Sequence, residues 1–386
     1  MALKERLVAL WLARRARSST AIISPMKQPD QTTERISKQN SDATESILVR
    51  STNWLGDAVM TLPALASLRH RRPDARICVL TKPGLRPLFE SSGVIDEILN
   101  YTGGSVESGS GWRSFLRMAK GLRRRRFDSA LLFQGAFEAA LLALAARIPR
   151  RIGYATQGRG LLLTTALEKS KTAEPTHQTL DYLAIVDAAT SGTPTSPGDP
   201  VQQIRPVLTA SESQRAAAIT LLAEHGIPPD AGEIAVLNPG ATNSRAKRWP
   251  ESHFAALADE LTRATDCRVV LVGSLSEREI AARITSLVSG GLPVNLAGLT
   301  DLSTLIGLLS AARVIISNDT GTAHLSAALG RPTLTIFGPT NEFETAPLGH
   351  AAEIMRAPGI ECERCMLREC PIDHRCMVRI LPGEVL

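Results

Sequence analysis

Short apolar segments alternate with helical segments along most of this chain, and the alternation begins twice. From Ser46 the run SILVRS is followed by a helical pattern over Asp57–Arg71, and RICVLT then begins another strand. Beyond a break near residue 200, strand and helix signals alternate again from EIAVLNPG to PTLTIFGPT. Such alternation predicts mainly parallel sheets with helices on both faces. Because the pattern restarts, we expect two α/β domains.

Composition suggests where these domains begin and end. Residues 1–45 carry a basic stretch and then polar residues without apolar periodicity, so we expect a disordered extension; a helix lying on an anionic membrane is the alternative. The Pro-, Gly- and Ser-rich segment 191–200 is typical of a linker. We therefore predict a first domain over 46–205 and a second over 206–386, with ligands bound in a cleft between the carboxyl ends of their strands.

The charge distribution differs between the two parts of the chain. Residues 1–200 hold 28 Lys and Arg against 18 Asp and Glu, whereas residues 201–386 hold 16 against 20. A basic first part favours an anionic partner. Aromatic residues make up only 4% of the chain, which argues against a stacking platform for nucleic acid. No apolar run approaches the ~20 residues of a membrane span, so we expect a cytoplasmic protein.

A possible phosphate site lies in RVIISNDTGTAH. The strand should end near Ser317, after which Thr320 and Gly321 leave backbone amides at a helix start open to a phosphate, with His324 one turn further on. The alternative is an ordinary helix capped by Asp319, with a surface histidine.

A second loop, NPGATNSRAKRWP, follows the strand EIAVL and should emerge at the same sheet edge. Thr242 and Asn243 offer hydrogen bonds, and Lys247 brings a cation toward a diphosphate; a solvated lysine is the alternative. Glu277 begins a helix at this edge, where it could accept hydrogen bonds from a sugar hydroxyl or simply stabilise the helix N-terminus.

Asp57 stands at the start of the first helix, across the expected cleft from these loops. A helix N-terminus favours the ionised form, so we expect a carboxylate that accepts a proton from a hydroxyl or merely caps the helix. The strand before it is not followed by GxGxxG, which disfavours a dinucleotide site. Neither a Walker A loop, a HExxH motif nor a Ser-His-Asp order is apparent in the sequence.

Four of the six cysteines lie near the end of the chain, at Cys362, Cys365, Cys370 and Cys376. The first pair has the spacing of a metal knuckle, but the second does not. Free thiols are therefore favoured over a structural zinc site.

Several of these segments resemble one enzyme family. NWLGDAVMTLPAL, AKRWP, SNDTGTAHLSAALGRPTLTIFGPT and CERCMLRECPIDHRCM, in this order, are similar to segments of the bacterial ADP-heptose:lipopolysaccharide heptosyltransferases, and most of all to the heptosyltransferase II group. The resemblance spans roughly residues 46–386. It implies a GT-B fold, in which two Rossmann-like domains face a central cleft. The first domain would bind the acceptor and the second the ADP-sugar.

The resemblance also implies an activity: inverting, metal-independent transfer of L-glycero-D-manno-heptose from ADP-heptose to the heptosyl-Kdo-lipid A inner core of lipopolysaccharide. By motif position Asp57 would be the general base, and Lys247, with Thr242 and Asn243, would stabilise the departing diphosphate. Asp319, Thr320, Gly321 and His324 would hold the ADP-sugar, and Glu277 its nucleoside. The enzyme would act at the cytoplasmic face of the inner membrane.

The acceptor side is less defined by sequence. FQGAFEAALL stands where the family has a turn containing Ser and Arg, so acceptor-binding residues are not assigned. The run Arg123–Arg126 could meet anionic groups of the acceptor, or be a solvated helix face. Three alternatives stay open: a heptosyltransferase of type I or III, a nucleotide-sugar epimerase or hydrolase, and a zinc-binding adaptor without catalysis.

Overall fold

The computed structural model describes residues 44–101, 109–169, 175–190 and 205–386. Residues 44–385 belong to one compact unit that contains two six-stranded sheets. We call residues 44–190 the first half and residues 205–385 the second half. Most of the expected extension 1–45 and all of the expected linker 191–200 lie outside the described residues, and the domain boundary at 205 stays a prediction.

The strands are listed here in chain order. They are β1 (Ser46–Arg50), β2 (Arg76–Thr81), β3 (Glu97–Asn100), β4 (Ser129–Leu132), β5 (Arg150–Tyr154), β6 (Thr165–Leu167), β7 (Ile234–Asn238), β8 (Arg268–Leu271), β9 (Val294–Asn295), β10 (Val314–Asn318), β11 (Thr333–Ile336) and β12 (Ala352–Met355).

The α-helices of the described residues connect these strands. They are α1 (Leu55–Met60), α2 (Leu62–Arg71), α3 (Arg86–Glu90), α4 (Gly109–Arg124), α5 (Phe137–Ala145), α6 (Gln178–Thr190), α7 (Glu212–Glu224), α8 (Glu251–Ala264), α9 (Arg278–Leu287), α10 (Leu302–Ala311), α11 (Gly321–Ala328), α12 (Glu342–Thr345), α13 (Arg375–Val378) and α14 (Pro382–Val385).

Both sheets are parallel and share one topology. The first has the order β3-β2-β1-β4-β5-β6, and the second repeats it as β9-β8-β7-β10-β11-β12. In each sheet the order reverses between the first and fourth strands, which is where doubly wound sheets bind ligands beyond the strands' carboxyl ends. The expectation of two parallel α/β sheets is confirmed.

The core explains why these segments form central strands. Residues of β1 and β7 are buried along their whole length, so both strands read as continuous apolar runs instead of alternating ones. Helices cover both faces and bury their own apolar sides. Gln214 and Ser211 form a capping box at the start of α7, which fixes where this helix begins.

The predicted helix over Asp57–Arg71 is two helices. The chain forms α1 and α2 with a break at Thr61, because Pro63 in the first turn of α2 cannot donate the backbone hydrogen bond that would continue α1. Val59, Leu62, Leu65 and Leu68 are nevertheless all buried, so both helices pack their apolar side on the core.

The two halves are in direct contact. The ring of His177, which precedes α6, has Nε2 2.9 Å from the carbonyl oxygen of Ala346, which follows α12. Ser91 of the first half exchanges side-chain hydrogen bonds with Gln214 of the second at 3.1–3.2 Å. The carboxyl edges of the two sheets are therefore held at a defined separation.

Candidate active site

A buried ion pair connects the two loops at the switch point of the second sheet. The ammonium of Lys247 lies 2.7 Å from Oδ2 of Asp319. The same carboxylate oxygen accepts a hydrogen bond from the Thr340 hydroxyl at 2.7 Å. Only 5% of the Asp319 side chain is exposed, against 27% for Lys247, so the lysine faces the cleft while its partner lies beneath it.

This pairing corrects one expectation from the sequence. Asp319 does not cap α11: Thr320 holds the N-cap position, and no side chain caps that helix. The alternative of a solvated Lys247 also fails, because its ammonium donates to both the carboxylate and the backbone carbonyl of Asp319.

Two buried asparagines fasten these loops to each other. Nδ2 of Asn318 donates to the carbonyl of Pro239 at 2.8 Å, and its Oδ1 accepts the backbone N–H of Trp249 at 3.0 Å. Asn238 donates to the hydroxyls of Ser317 and Thr320 at 3.0 and 2.8 Å. The strand that precedes each loop thus fixes the position of the other loop.

The cysteine-rich tail supports the lysine loop from the other side. Ala246 donates its N–H to the carbonyl of Arg368 at 3.0 Å, and its own carbonyl lies 2.6 Å from Nε2 of His374. The Trp249 indole donates to the carbonyl of Ile380 at 2.9 Å. The loop that carries Lys247 is therefore held in place by residues more than a hundred positions further along the chain.

Asp57 lies in the first turn of α1, half-buried, and close enough to the second half to feel its charges. Burial raises the pKa of its carboxyl above the usual value, the positive charge of Lys247 opposes that rise, and the negative charge of Asp319 adds to it. The sequence led us to expect that the helix N-terminus favours the ionised form of Asp57, and in the structure burial acts on the pKa in the opposite direction. A carboxylate with a raised pKa is a stronger base.

The first turns of α1 and α11 touch through glycines. A Cβ atom placed on Gly321 would lie 2.7 Å from Cβ of Leu55 and 3.0 Å from the backbone nitrogen of Gly56. A Cβ on Gly56 would lie 3.1 Å from the ring of His324. Because only hydrogen fits at residue 321, the two helix starts approach closely across the cleft.

His324 is buried and neutral. Burial lowers the pKa of its imidazole to about 4, against an opposing effect of the charge on Asp319. In the free protein the ring is therefore neutral at physiological pH and can take part in hydrogen bonds. The alternative of an ordinary capped helix with a surface histidine is therefore wrong, because His324 is buried.

The remaining residues expected to bind donor lie at the same edge. Thr242 and Asn243 are exposed beyond β7. Glu277 is buried, and its Oε2 accepts from the N–H and hydroxyl of Ser274 at 2.8 Å. Oε1 accepts from the Thr242 hydroxyl at 3.4 Å. Capping accounts for one carboxylate oxygen of Glu277, and the second faces the Thr242 loop.

Further polar groups at the carboxyl edge of the first sheet were not expected from sequence. Arg50 is buried at the end of β1, with its guanidinium 4.3 Å from the ring centre of Tyr101, and burial lowers its pKa to about 10. The Tyr101 hydroxyl donates to Glu138. Trp54 precedes α1 with 59% of its surface exposed, and the ammonium of Lys82 lies 5.9 Å from its ring centre. The sequence could have indicated Arg50, Lys82 and Tyr101 as residues of the site, because each lies at or just after the end of a strand.

Metal-binding groups were sought among the described residues. In these parts of the chain no three or more His, Cys, Asp or Glu side chains are placed to hold a metal ion. All six cysteines are free thiols, and those at Cys362, Cys365, Cys370 and Cys376 are partly or fully accessible. Cys376 lies within electrostatic reach of Cys362, Cys365 and Cys370, and the choice between free thiols and structural zinc stays a prediction.

Two doubly wound halves face each other, with an acid from one beside a cation-lined loop of the other. This is the two-domain arrangement of the GT-B fold. Residues 115–375 match the family described as glycosyltransferase family 9 (heptosyltransferase). The chain belongs to this family.

Named relatives agree with this assignment. The chain is 32% identical to lipopolysaccharide heptosyltransferase 2 of Salmonella typhimurium, over 80% of this chain and 87% of that protein. It is 31% identical to the protein of the same name from Escherichia coli, with the same coverage. The solved structure of E. coli ADP-heptose lps heptosyltransferase II superposes with a TM-score of 0.73 at 27% identity, covering 88% of this chain and 96% of that one.

Proposed function

We propose that this chain transfers L-glycero-D-manno-heptose from ADP-heptose to the heptosyl-Kdo-lipid A inner core of lipopolysaccharide, with inversion at the anomeric carbon. Relatives named for heptosyltransferase 2 activity, similar over most of their length, support this donor and this step. One observation in the molecule carries the chemistry: Asp57 of the first half lies within electrostatic reach of the Lys247–Asp319 pair of the second.

Asp57 acts as the general base in this proposal. Its carboxylate takes the proton from the acceptor hydroxyl while that oxygen bonds to the anomeric carbon of the donor. The bond from that carbon to the diphosphate oxygen breaks, and ADP departs with the electron pair. The raised pKa suits the task, because proton transfer is most effective when the base is not too weak.

Lys247 stabilises the departing ADP. Negative charge grows on the diphosphate as the glycosidic bond breaks, and a fixed ammonium at the cleft stabilises that charge most where water is excluded. Asp319 and Thr340 hold the lysine in place. We propose that this cation takes the part that a divalent metal plays elsewhere, so transfer requires no cofactor.

The donor is held by both loops of the second half. Thr242 and Asn243 would bond the diphosphate, and Glu277 the nucleoside through its Oε1. Thr320 and Gly321 would hold the donor phosphate through backbone N–H groups at the start of α11, Asp319 would act on the donor by holding Lys247, and neutral His324 would contribute a hydrogen bond. The acceptor would enter over the first half, past Trp54 and Lys82, at the cytoplasmic face of the inner membrane. Among the described residues no helix is long and apolar enough to cross that membrane.

The test combines purified chain, ADP-heptose and an acceptor that ends in one heptose, with mass spectrometry of the acceptor and measurement of released ADP. Asp57→Asn is expected to lower kcat by about 10²–10⁴-fold while leaving the dissociation constant for ADP-heptose nearly unchanged. Asp230→Asn, which alters an exposed aspartate, is the matched control. Chelation of metal ions is expected to leave the rate unchanged.

Other products would contradict the proposal. Free heptose with ADP would indicate a hydrolase, and an isomerised ADP-sugar an epimerase. Faster transfer to an acceptor without heptose would indicate a type I activity.

In a strain lacking this chain, lipopolysaccharide is expected to be truncated after its first heptose.

A further inference from the structure

Helix α4 has an apolar inner side and an outer side rich in exposed cations. Phe115, Ala119 and Leu122 lie on its inner side and are buried in the core of the first half. On the opposite side five cations are exposed; they are Arg113, Arg117, Lys120, Arg123 and Arg124. We call these five residues, with Trp112 and Leu116, the basic face.

The cations of the basic face form no ion pairs with the described residues. Within the described parts of the chain none of the five has an ion-pair partner, and α4 itself contains no acidic residue. The next arginine along, Arg125, differs because it pairs with Glu97 of β3. The arginine that faces the sheet is therefore paired with a carboxylate, whereas the five cations that face outward have no acidic partner among the described residues.

Two large apolar side chains lie among these cations. Trp112 is 46% exposed and Leu116, one turn later, is 48% exposed. The Trp112 ring stacks on buried Phe115 with ring centres 5.3 Å apart, so the indole is held outward by the core. Exposed cations beside an exposed indole and leucine match the interface of an anionic bilayer, where indoles lie at headgroup depth and cations meet lipid phosphates.

The position of α4 relates this face to the cleft. The helix follows β3 and therefore begins at the carboxyl edge of the first sheet, the edge that also carries Asp57. Trp112 ends its first turn, and Arg113 follows directly. A membrane against this end of the helix would bring a lipid-linked substrate to the open side of the cleft.

We propose that the basic face of α4 docks on the anionic phospholipid surface of a membrane. The choice of a bilayer over other polyanions rests on the proposed function, whose acceptor is lipid-linked; the surface itself does not depend on it. Arg113, Arg117 and Lys120 contact lipid phosphates, and Trp112 and Leu116 enter the headgroup layer.

The test is sedimentation of the full chain with vesicles, in the absence of sugar substrates. Wild type is expected to bind vesicles of phosphatidylcholine with phosphatidylglycerol at least tenfold more strongly than vesicles of phosphatidylcholine alone. The triple variant Arg113→Glu, Arg117→Glu, Lys120→Glu is expected to lose at least tenfold of that binding. Trp112→Ala is expected to weaken the binding that persists at high salt.

The matched control carries the same charge change elsewhere. Arg215→Glu, Arg263→Glu, Arg268→Glu alters three exposed arginines of the second half and is expected to retain most vesicle binding. Folding is checked by transfer to an acyl-free acceptor, which the α4 triple variant should perform at the wild-type rate. If that variant does not fold, Arg117→Gln, Lys120→Gln replaces it, with at least a threefold loss of vesicle binding expected.

Three results would overturn the inference: wild-type vesicle binding by a folded α4 variant, an equal loss in the control, or preference for RNA over anionic vesicles at equal salt. Failure of the proposed function would look different. It would appear as no transfer by wild type to the acyl-free acceptor, whatever the vesicles show.

Discussion

The ammonium of Lys247 lies 2.7 Å from the carboxylate of Asp319, and the charge of each also acts on Asp57 across the cleft. Lys247 lowers the pKa of Asp57, whereas Asp319 and burial raise it. The proposed base and the proposed leaving-group cation are therefore coupled before any substrate binds. This coupling makes the pH dependence of the reaction depend on residue 247.

Removal of the Lys247 charge is expected to move the acidic limb of the pH profile. Activity needs the ionised form of Asp57, so kcat/KM falls as pH drops through its pKa. In Lys247→Met that pKa is higher, so the fall begins at higher pH than in wild type. The variant should also lose at least tenfold in kcat at its pH optimum. Profiles of kcat and kcat/KM from pH 4 to 9 test both points, with Lys169→Met as control. If the acidic limb of Lys247→Met is not shifted, the charge of Lys247 does not influence the pKa of Asp57.

The same variant is expected to cost stability through Asp319. Loss of the lysine leaves a buried carboxylate whose one remaining side-chain partner among the described residues is Thr340, which should destabilise the fold by about 1–3 kcal/mol. Asp319→Asn in the Lys247→Met background should regain much of this stability without regaining activity. Urea unfolding of the single and double variants measures the difference.

Contact between α1 and α11 is expected to set the geometry of the cleft. In Gly321→Ala the new methyl would lie 2.7 Å from Leu55, so α1 must move away and take Asp57 with it. Displacement of a catalytic group by about 1 Å can cost about 10²-fold in rate, and we expect a loss of kcat/KM of at least tenfold. Gly383→Ala, where a methyl meets nothing within 4 Å, is the control. Equal activity of the two variants would contradict this role of the contact.

The sequence predicts central features of the molecule better than peripheral ones. Strands β1, β7 and β10 are buried apolar runs, and parallel topology brings their following loops to one edge, so Asp57, Lys247 and Asp319 could be placed near each other before the fold was seen. Strands β5 and β6 were not predicted. β5 begins with two arginines and β6 has three residues, so neither carries a periodic signal.

The individual hydrogen bonds between distant residues could not be predicted from the sequence. The carboxylate of Asp319 matches an N-cap pattern in sequence, and only the fold reveals that Lys247 and Thr340 reach it first. The buried links of Asn238 and Asn318 between loops are likewise tertiary. The sequence around each asparagine does not indicate which residue it will bond.

Acid is expected to destabilise the protein partly through His324. Its pKa is about 4 in the folded state, well below that of an unfolded histidine. Between roughly pH 6.5 and 4 the unfolded chain binds a proton that the folded chain does not, so stability is full above this window and falls by up to about 3 kcal/mol across it. In His324→Asn the free energy of unfolding should fall less than in wild type as the pH is lowered through this window. Urea titrations from pH 7 to 4.5 measure it, with exposed His225→Gln as control; a slope equal to wild type would refute the assignment.

The tail histidine is expected to act on the reaction through Lys247. Nε2 of His374 donates to the carbonyl of Ala246, one residue before the lysine, so its loss should loosen the lysine loop without touching substrate. One hydrogen bond of about 0.5–1.5 kcal/mol corresponds to a loss of up to about tenfold, which we expect in kcat/KM for ADP-heptose in His374→Ala. His374→Gln retains a donor and should recover part of the loss. A merely structural role would lower the melting temperature and leave the kinetics of the folded enzyme unchanged, so both variants are compared by kinetics and thermal unfolding at one pH.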